Sequence, residues 1–190
     1  MQLTERHLIK PNHALYGTLD DLTFKAKNLY NHGLYLYRQS YFEHKKNPEA
    51  SVLTWADIDK SLRKQGHDDI RALPSKVANA VLKNLGENIT SFWKLVRLKN
   101  KGNLAQKPKL PHYLHKTDGR YPLSFNYQTF GVKRGSNNEL FLCPKGINLP
   151  IPTKVANPQL VRVVPKHNNF IIEVIYNVEE SEPKHTSKYA

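Results

Sequence analysis

Residues 160–178, LVRVVPKHNNFIIEVIYNV, decide how the rest of the chain is read. β-Branched and aromatic residues recur with a period near two on either side of Lys166-His167-Asn168-Asn169, the pattern of two paired strands joined by a turn. The same period runs upstream through SFNYQ (124–128), FGVKR (130–134), ELFLC (139–143) and INLPI (147–151), separated by the turn signals RGSNN, PKG and ANPQ. Five or six short strands in some sixty residues predict a small barrel or sandwich. At the other end of the chain, Met1, Leu3 and His7 alternate with Gln2, Thr4 and Arg6 before Pro11, so one more strand is expected there. If that strand joins the later ones, everything between is an insertion into one β domain.

The intervening residues change period from 2 to 3.6. Thr18 and Asp21 have capping-box spacing ahead of Leu22, Ala26, Leu29, Tyr30, Gly33, Leu34, Tyr37 and Tyr41, which predicts a helix of five or more turns ending before Pro48. Thr54 and Asp57 repeat that spacing ahead of Ile58 and Leu62, predicting a shorter helix that stops at Gly66. Pro74-Ser75 opens a third, with Val77, Val81, Leu85, Ile89, Phe92 and Val96 on one stripe and an end near Lys101-Gly102. Lys76, Asn79 and Lys83, then Lys94, Arg97 and Lys99, fall on its other face.

Charge indicates what these elements meet. The 190 residues carry 29 Lys and Arg against 16 Asp and Glu, a formal charge of +13, which favours a polyanionic partner. Residues 91 to 134 hold ten cations and one acid, Asp118, hence nine of those thirteen net charges. Within this window 107–127, KPKLPHYLHKTDGRYPLSFNY, interleaves Lys107, Lys109, Lys116 and Arg120 with Tyr113, Tyr121, Phe125 and Tyr127, while Pro108, Pro111 and Pro122 exclude a helix. An extended ribbon with fixed cations and rings is expected, suited to phosphate contacts and base stacking. The plain alternatives are a solvated charged face and rings that pack in the core.

No self-contained chemistry is legible. His112 and His115 flank no Cys or acid that would complete a metal set, and Pro111 denies them a helix. Cys143, the only cysteine, sits at the end of an apolar strand and excludes a disulfide framework. The acid pairs Asp20-Asp21, Asp57 with Asp59, and Asp68-Asp69 are explained by helix starts and loops. Phosphate-binding glycine loops are absent, so no catalytic residue, metal ligand or cofactor is assigned. Without a secretory h-region or an apolar run of about 18 residues, a cytoplasmic protein with no membrane partner is expected.

In order and spacing, NLYNHGLYLYRQSY, ALPSKVANAVLKNLGENITSFWKLV, KPKLPHY, RYPLSF, GINLPIP and LVRVVPKHNNFIIEVIYNVE resemble the N-terminal half of TnpB (OrfB) proteins of insertion sequences. These are RNA-guided DNA nucleases, also described as transposases with a helix-turn-helix N-terminus. The resemblance runs from about Leu3 to Glu179. It implies an α+β fold in which a small, oligonucleotide-binding-like β-barrel, the wedge domain, is interrupted by a helical recognition domain. The divisions implied are 1–13 for the first wedge strand, 14–101 for the helical insert, 102–178 for the remaining wedge, and 179–190 for a linker to a nuclease domain. The implied partners are a guide RNA and double-stranded DNA at a short adjacent motif, with Lys76, Asn79 and Lys83 as candidates for motif reading. Lys94, Arg97, Lys107, Lys109, Tyr113, Lys116, Arg120, Tyr121 and Phe125 complete the nucleic-acid-binding set.

The family's RuvC-like nuclease begins with an Asp in a GIDLG-like strand, and nothing like it follows Tyr176-Asn177. The chain is therefore expected to bind without its own catalytic site. Two other readings stay open: a nuclease completed by a separately encoded RuvC-like half, and an unrelated basic RNA-binding structural protein.

Overall fold

The computed structural model describes residues 1–178; the tail read as a linker, 179–190, lies outside the described residues. The fold is α+β. Strand β1 (Gln2–Ile9) pairs antiparallel with β7 (Asn169–Asn177), from Gln2 opposite Asn177 to Ile9 opposite Phe170. Next to β7 lies β6 (Leu160–Lys166), and next to β6 lies β2 (Leu123–Asn126), giving the order β1-β7-β6-β2. The turn between β6 and β7 is made by His167, at φ 52°, and Asn168, because Lys166 already faces Asn169.

Alternation sets the two faces of this sheet. Val161, Val163, Ile172 and Val174 are fully buried on the core side. On the other side Arg6, Glu173 and Arg162 stand directly opposite one another across three strands, and both arginines bond the Glu173 carboxylate. Burying Glu173 is tolerated because two guanidinium groups bracket it.

β3 (Phe130–Arg134), β4 (Leu140–Pro144) and β5 (Ile151–Thr153) form a separate three-stranded meander. The expected closed barrel is not formed among the described residues. Pro150 and Pro152 have no N–H to offer on the outer edge of β5, so the ladder cannot continue from there to β1. Beside that edge the contact is a side chain instead, the Lys154 N–H donating to Glu5 Oε2 at 3.0 Å.

Between β1 and β2 come α1 (Tyr16–Lys46), α2 (Trp55–Gln65), the single turn α3 (Asp68–Arg71) and α4 (Ser75–Asn100). Thr54 and Asp57 form the expected reciprocal capping box on α2, which ends at Gly66 in the left-handed region. Thr18 and Asp21 do not cap α1. The helix has already begun at Tyr16 after a turn in which the His13 ring accepts the Leu15 N–H, and Asp21 instead pairs with Lys25.

Helices α1 and α4 cross at Gly33, where a Cβ would lie 2.8 Å from Leu82 Cδ2 and 2.9 Å from Leu85 Cδ2. The buried stripe of α4, from Val77 to Phe92, continues into Leu123 and Phe125 of β2, so helices and first sheet share one core. No helix among the described residues is long and apolar enough to cross a membrane.

Candidate nucleic-acid interface

The proline-rich segment from 107 to 122 has no regular secondary structure, yet from Pro111 to Tyr121 it is fastened to a helix. It runs antiparallel along α1, and residues of α1 spaced three, four, four and seven apart hold it. Asp20 takes the Arg120 guanidinium on both carboxylate oxygens, at 2.7 and 2.8 Å. The Thr23 carbonyl accepts the Tyr121 N–H, Lys27 Nζ donates to the Lys116 carbonyl at 2.6 Å, and Asn31 bonds both backbone groups of Leu114. Arg38 then donates to the Pro111 carbonyl. Those spacings put every one of these residues on one face of the helix. A segment whose prolines remove donors from its backbone thus has its remaining groups satisfied by a helix rather than by a strand.

Burial of Lys27 belongs to this fastening. Its ammonium lies 3.8 Å from the centroid of the Phe24 ring, over which the Arg120 guanidinium also sits at 5.0 Å. Burial lowers the Lys27 pKa, and Arg120 and Lys116 push it the same way. The Arg120 pKa is raised, chiefly by its hydrogen bonds to Asp20.

Geometry divides the residues expected to bind nucleic acid. Phe125 is fully buried in β2, so it is a core residue and not a stacking platform for bases. Tyr121 is half-buried, with one ring face stacked on Tyr30 at 4.5 Å between centroids, and burial raises the pKa of its hydroxyl. Arg120 is turned inward onto Asp20. Arg120 and Tyr121 fasten the ribbon and Phe125 fills the core, a correction that follows from each side chain already having a protein partner.

Lys107, Lys109, Tyr113 and Lys116 point outward, as do Lys94 and Arg97 on α4. None of these cations makes an ion pair with a described residue. Tyr113 is 45% exposed and carries the Arg38 guanidinium over its ring at 4.7 Å.

Two aromatic residues of the same surface escaped the sequence reading. Tyr35 and Phe42 are about half exposed and lie at i−3 and i+4 from Arg38 on α1. Their spacing off the apolar stripe was the available signal. Below them Tyr41 packs edge-on against Trp93 of α4, and Trp93 Nε1 donates to the Tyr37 hydroxyl at 2.9 Å. The C-terminal halves of α1 and α4 pack together at one end of the molecule, and Lys94, Arg97, Lys107 and Lys109 are exposed there or on the adjoining ribbon. Lys76 and Lys83, exposed, with the half-buried Asn79 between them, stand on the N-terminal half of α4. Lys76 and Arg97 are roughly 32 Å apart along that helix at 1.5 Å per residue. The two groups form separate patches.

A third cluster joins His32 of α1 to His67 and Asp69 at the start of α3, with the Asp69 carboxylate within electrostatic reach of Lys27. A scan against protein-family models found no match to this sequence, and a search of curated proteins also found none.

Proposed function

We propose that the protein binds nucleic acid, with the ribbon and the adjoining ends of α1 and α4 gripping RNA. The observation that carries this reading is the division of labour within the ribbon. Its backbone and Arg120 are spent on α1, while Lys107, Lys109, Lys116 and Tyr113 remain directed at solvent. Fixed cations beside exposed aromatic rings suit single-stranded RNA, whose phosphates and unstacked bases they match.

In the fuller form of the proposal, taken from the TnpB resemblance, the RNA is a guide. The N-terminal half of α4 meets duplex DNA at a short motif, where the Asn79 amide offers a donor and an acceptor to an adenine edge while Lys76 and Lys83 meet phosphates. The role assigned to these residues is recognition, not bond cleavage.

Fluorescence anisotropy with the chain freed of copurifying nucleic acid tests the proposal. Labelled single-stranded RNA should bind at low salt, and Tyr113→Ala should weaken that binding by about 1 to 3 kcal/mol, the worth of one stacked base. Absence of RNA binding at low ionic strength would remove the proposal.

A further inference from the structure

We infer that His32, His67 and Asp69 form a site for one divalent transition-metal ion, with zinc the best match to two imidazoles and a carboxylate. The inference stands independently of the nucleic-acid reading. One ligand atom from each of the three residues lies within 4.8 Å of the others. Nδ1 of His32 and Nδ1 of His67 approach the same Asp69 oxygen, Oδ2, at 3.2 and 3.8 Å. Ligand atoms around a tetrahedral zinc with bonds of about 2.05 Å are about 3.3 Å apart. Separations held to 4.8 Å or less therefore need side-chain movements of at most about 1.5 Å to close on an ion.

Local structure holds the set in place. His32 lies between Asn31, which grips the ribbon, and Gly33, where α1 meets α4. His67 and Asp69 sit at the corner where Gly66, at φ 64°, turns the chain from α2 into α3. The two imidazoles meet edge to face at 4.1 Å. All three side chains are partly covered, which leaves an entry path from solvent. His67 Nδ1 also accepts the Asp69 N–H, at 3.3 Å. This is a long bond, and it is the one an ion would displace. Three protein ligands leave a fourth position for water. Magnesium, which demands near-octahedral oxygen ligands, fits poorly. A bound ion would tie α1 to the α2–α3 corner across 37 residues of sequence.

Cobalt(II) and zinc titrations of the full chain, without a histidine tag and stripped with EDTA, test this. A single cobalt ion per chain should give the intense visible bands of a four- or five-coordinate site, zinc should displace it, and zinc should raise Tm while magnesium does not. His32→Ala and His67→Ala should each weaken cobalt binding by about tenfold or more, whereas His112→Ala with His115→Ala should not. Asp69→Asn, which keeps the shape of the side chain, should weaken it too, and serves if a histidine variant fails to fold. A weak octahedral cobalt spectrum, or cobalt affinity unchanged in His32→Ala or Asp69→Asn, would overturn the inference and leave the cluster a hydrogen-bond network only.

Discussion

Asn31 of α1 grips Leu114 of the ribbon with both ends of its amide: Nδ2 donates to the Leu114 carbonyl and Oδ1 accepts the Leu114 N–H, each at 2.9 Å. One side chain here supplies what a neighbouring strand would supply to an extended residue. Asn31→Ala leaves both backbone groups of Leu114 without that partner and should cost about 1 to 3 kcal/mol in urea unfolding. Hydrogen exchange should accelerate at Leu114 more than in β6 or β7. Uniform acceleration would mean that the ribbon is not fastened locally.

Arg120 and Lys116 lie four residues apart on the ribbon and should behave oppositely. Arg120→Ala breaks a two-point contact with Asp20 and should destabilise by about 1 to 2 kcal/mol, at the upper end for a partly exposed pair. Lys116→Ala removes only an exposed ammonium and should change stability by less than about 0.5 kcal/mol. Thermal unfolding of the two variants side by side provides the check.

Lys27 gives a signed pH dependence. Its folded pKa lies below the ordinary 10.5, so between the two values the unfolded chain holds the proton more tightly. The stability it contributes is present above the unfolded pKa and is lost as pH falls through the folded one. Relative to Lys27→Met, the wild type should therefore gain stability as pH is raised from neutral toward 10.5. A difference that stays flat or shrinks over that window would contradict burial of the charged form.

At the helix crossing, Gly33→Val places atoms where Leu82 and Leu85 already are, and both leucines are fully buried. Overpacking there should cost about 3 kcal/mol and outweigh any gain in helix propensity. Equilibrium unfolding in urea measures it.

Where local chemistry decided the outcome, the sequence was a sufficient guide. The reciprocal bonds of Thr54 and Asp57 need only four consecutive residues, and the β1–β7 pairing follows from alternation at the two ends of the described chain. Thr18 and Asp21 share the same spacing, yet the helix starts three residues earlier because the His13–Tyr16 turn leads straight into it. The ribbon's order was legible in its prolines. Which of its cations faces outward was not, because that depends on α1 partners 73 to 100 residues away. Arg120 and Lys116 look equivalent in sequence, and only the position of Asp20 separates them. Phe125 was misjudged for a similar reason: the ribbon gives way to strand at Leu123, and alternation from there turns Phe125 into the core. His32, His67 and Asp69 follow no ligand spacing at all, since the packing of α1 on the α2–α3 corner alone unites them.

The most direct test of the central claim, that the ribbon presents fixed cations to nucleic acid, is the salt dependence of RNA affinity for the wild type and for Lys107→Ala/Lys109→Ala/Lys116→Ala. Removing three ammonium groups that neutralise phosphates of a single strand should reduce the slope of log K against log salt by about 2, with Tm nearly unchanged. A triple variant with the wild-type slope and affinity would contradict the account and leave the ribbon a solvated face.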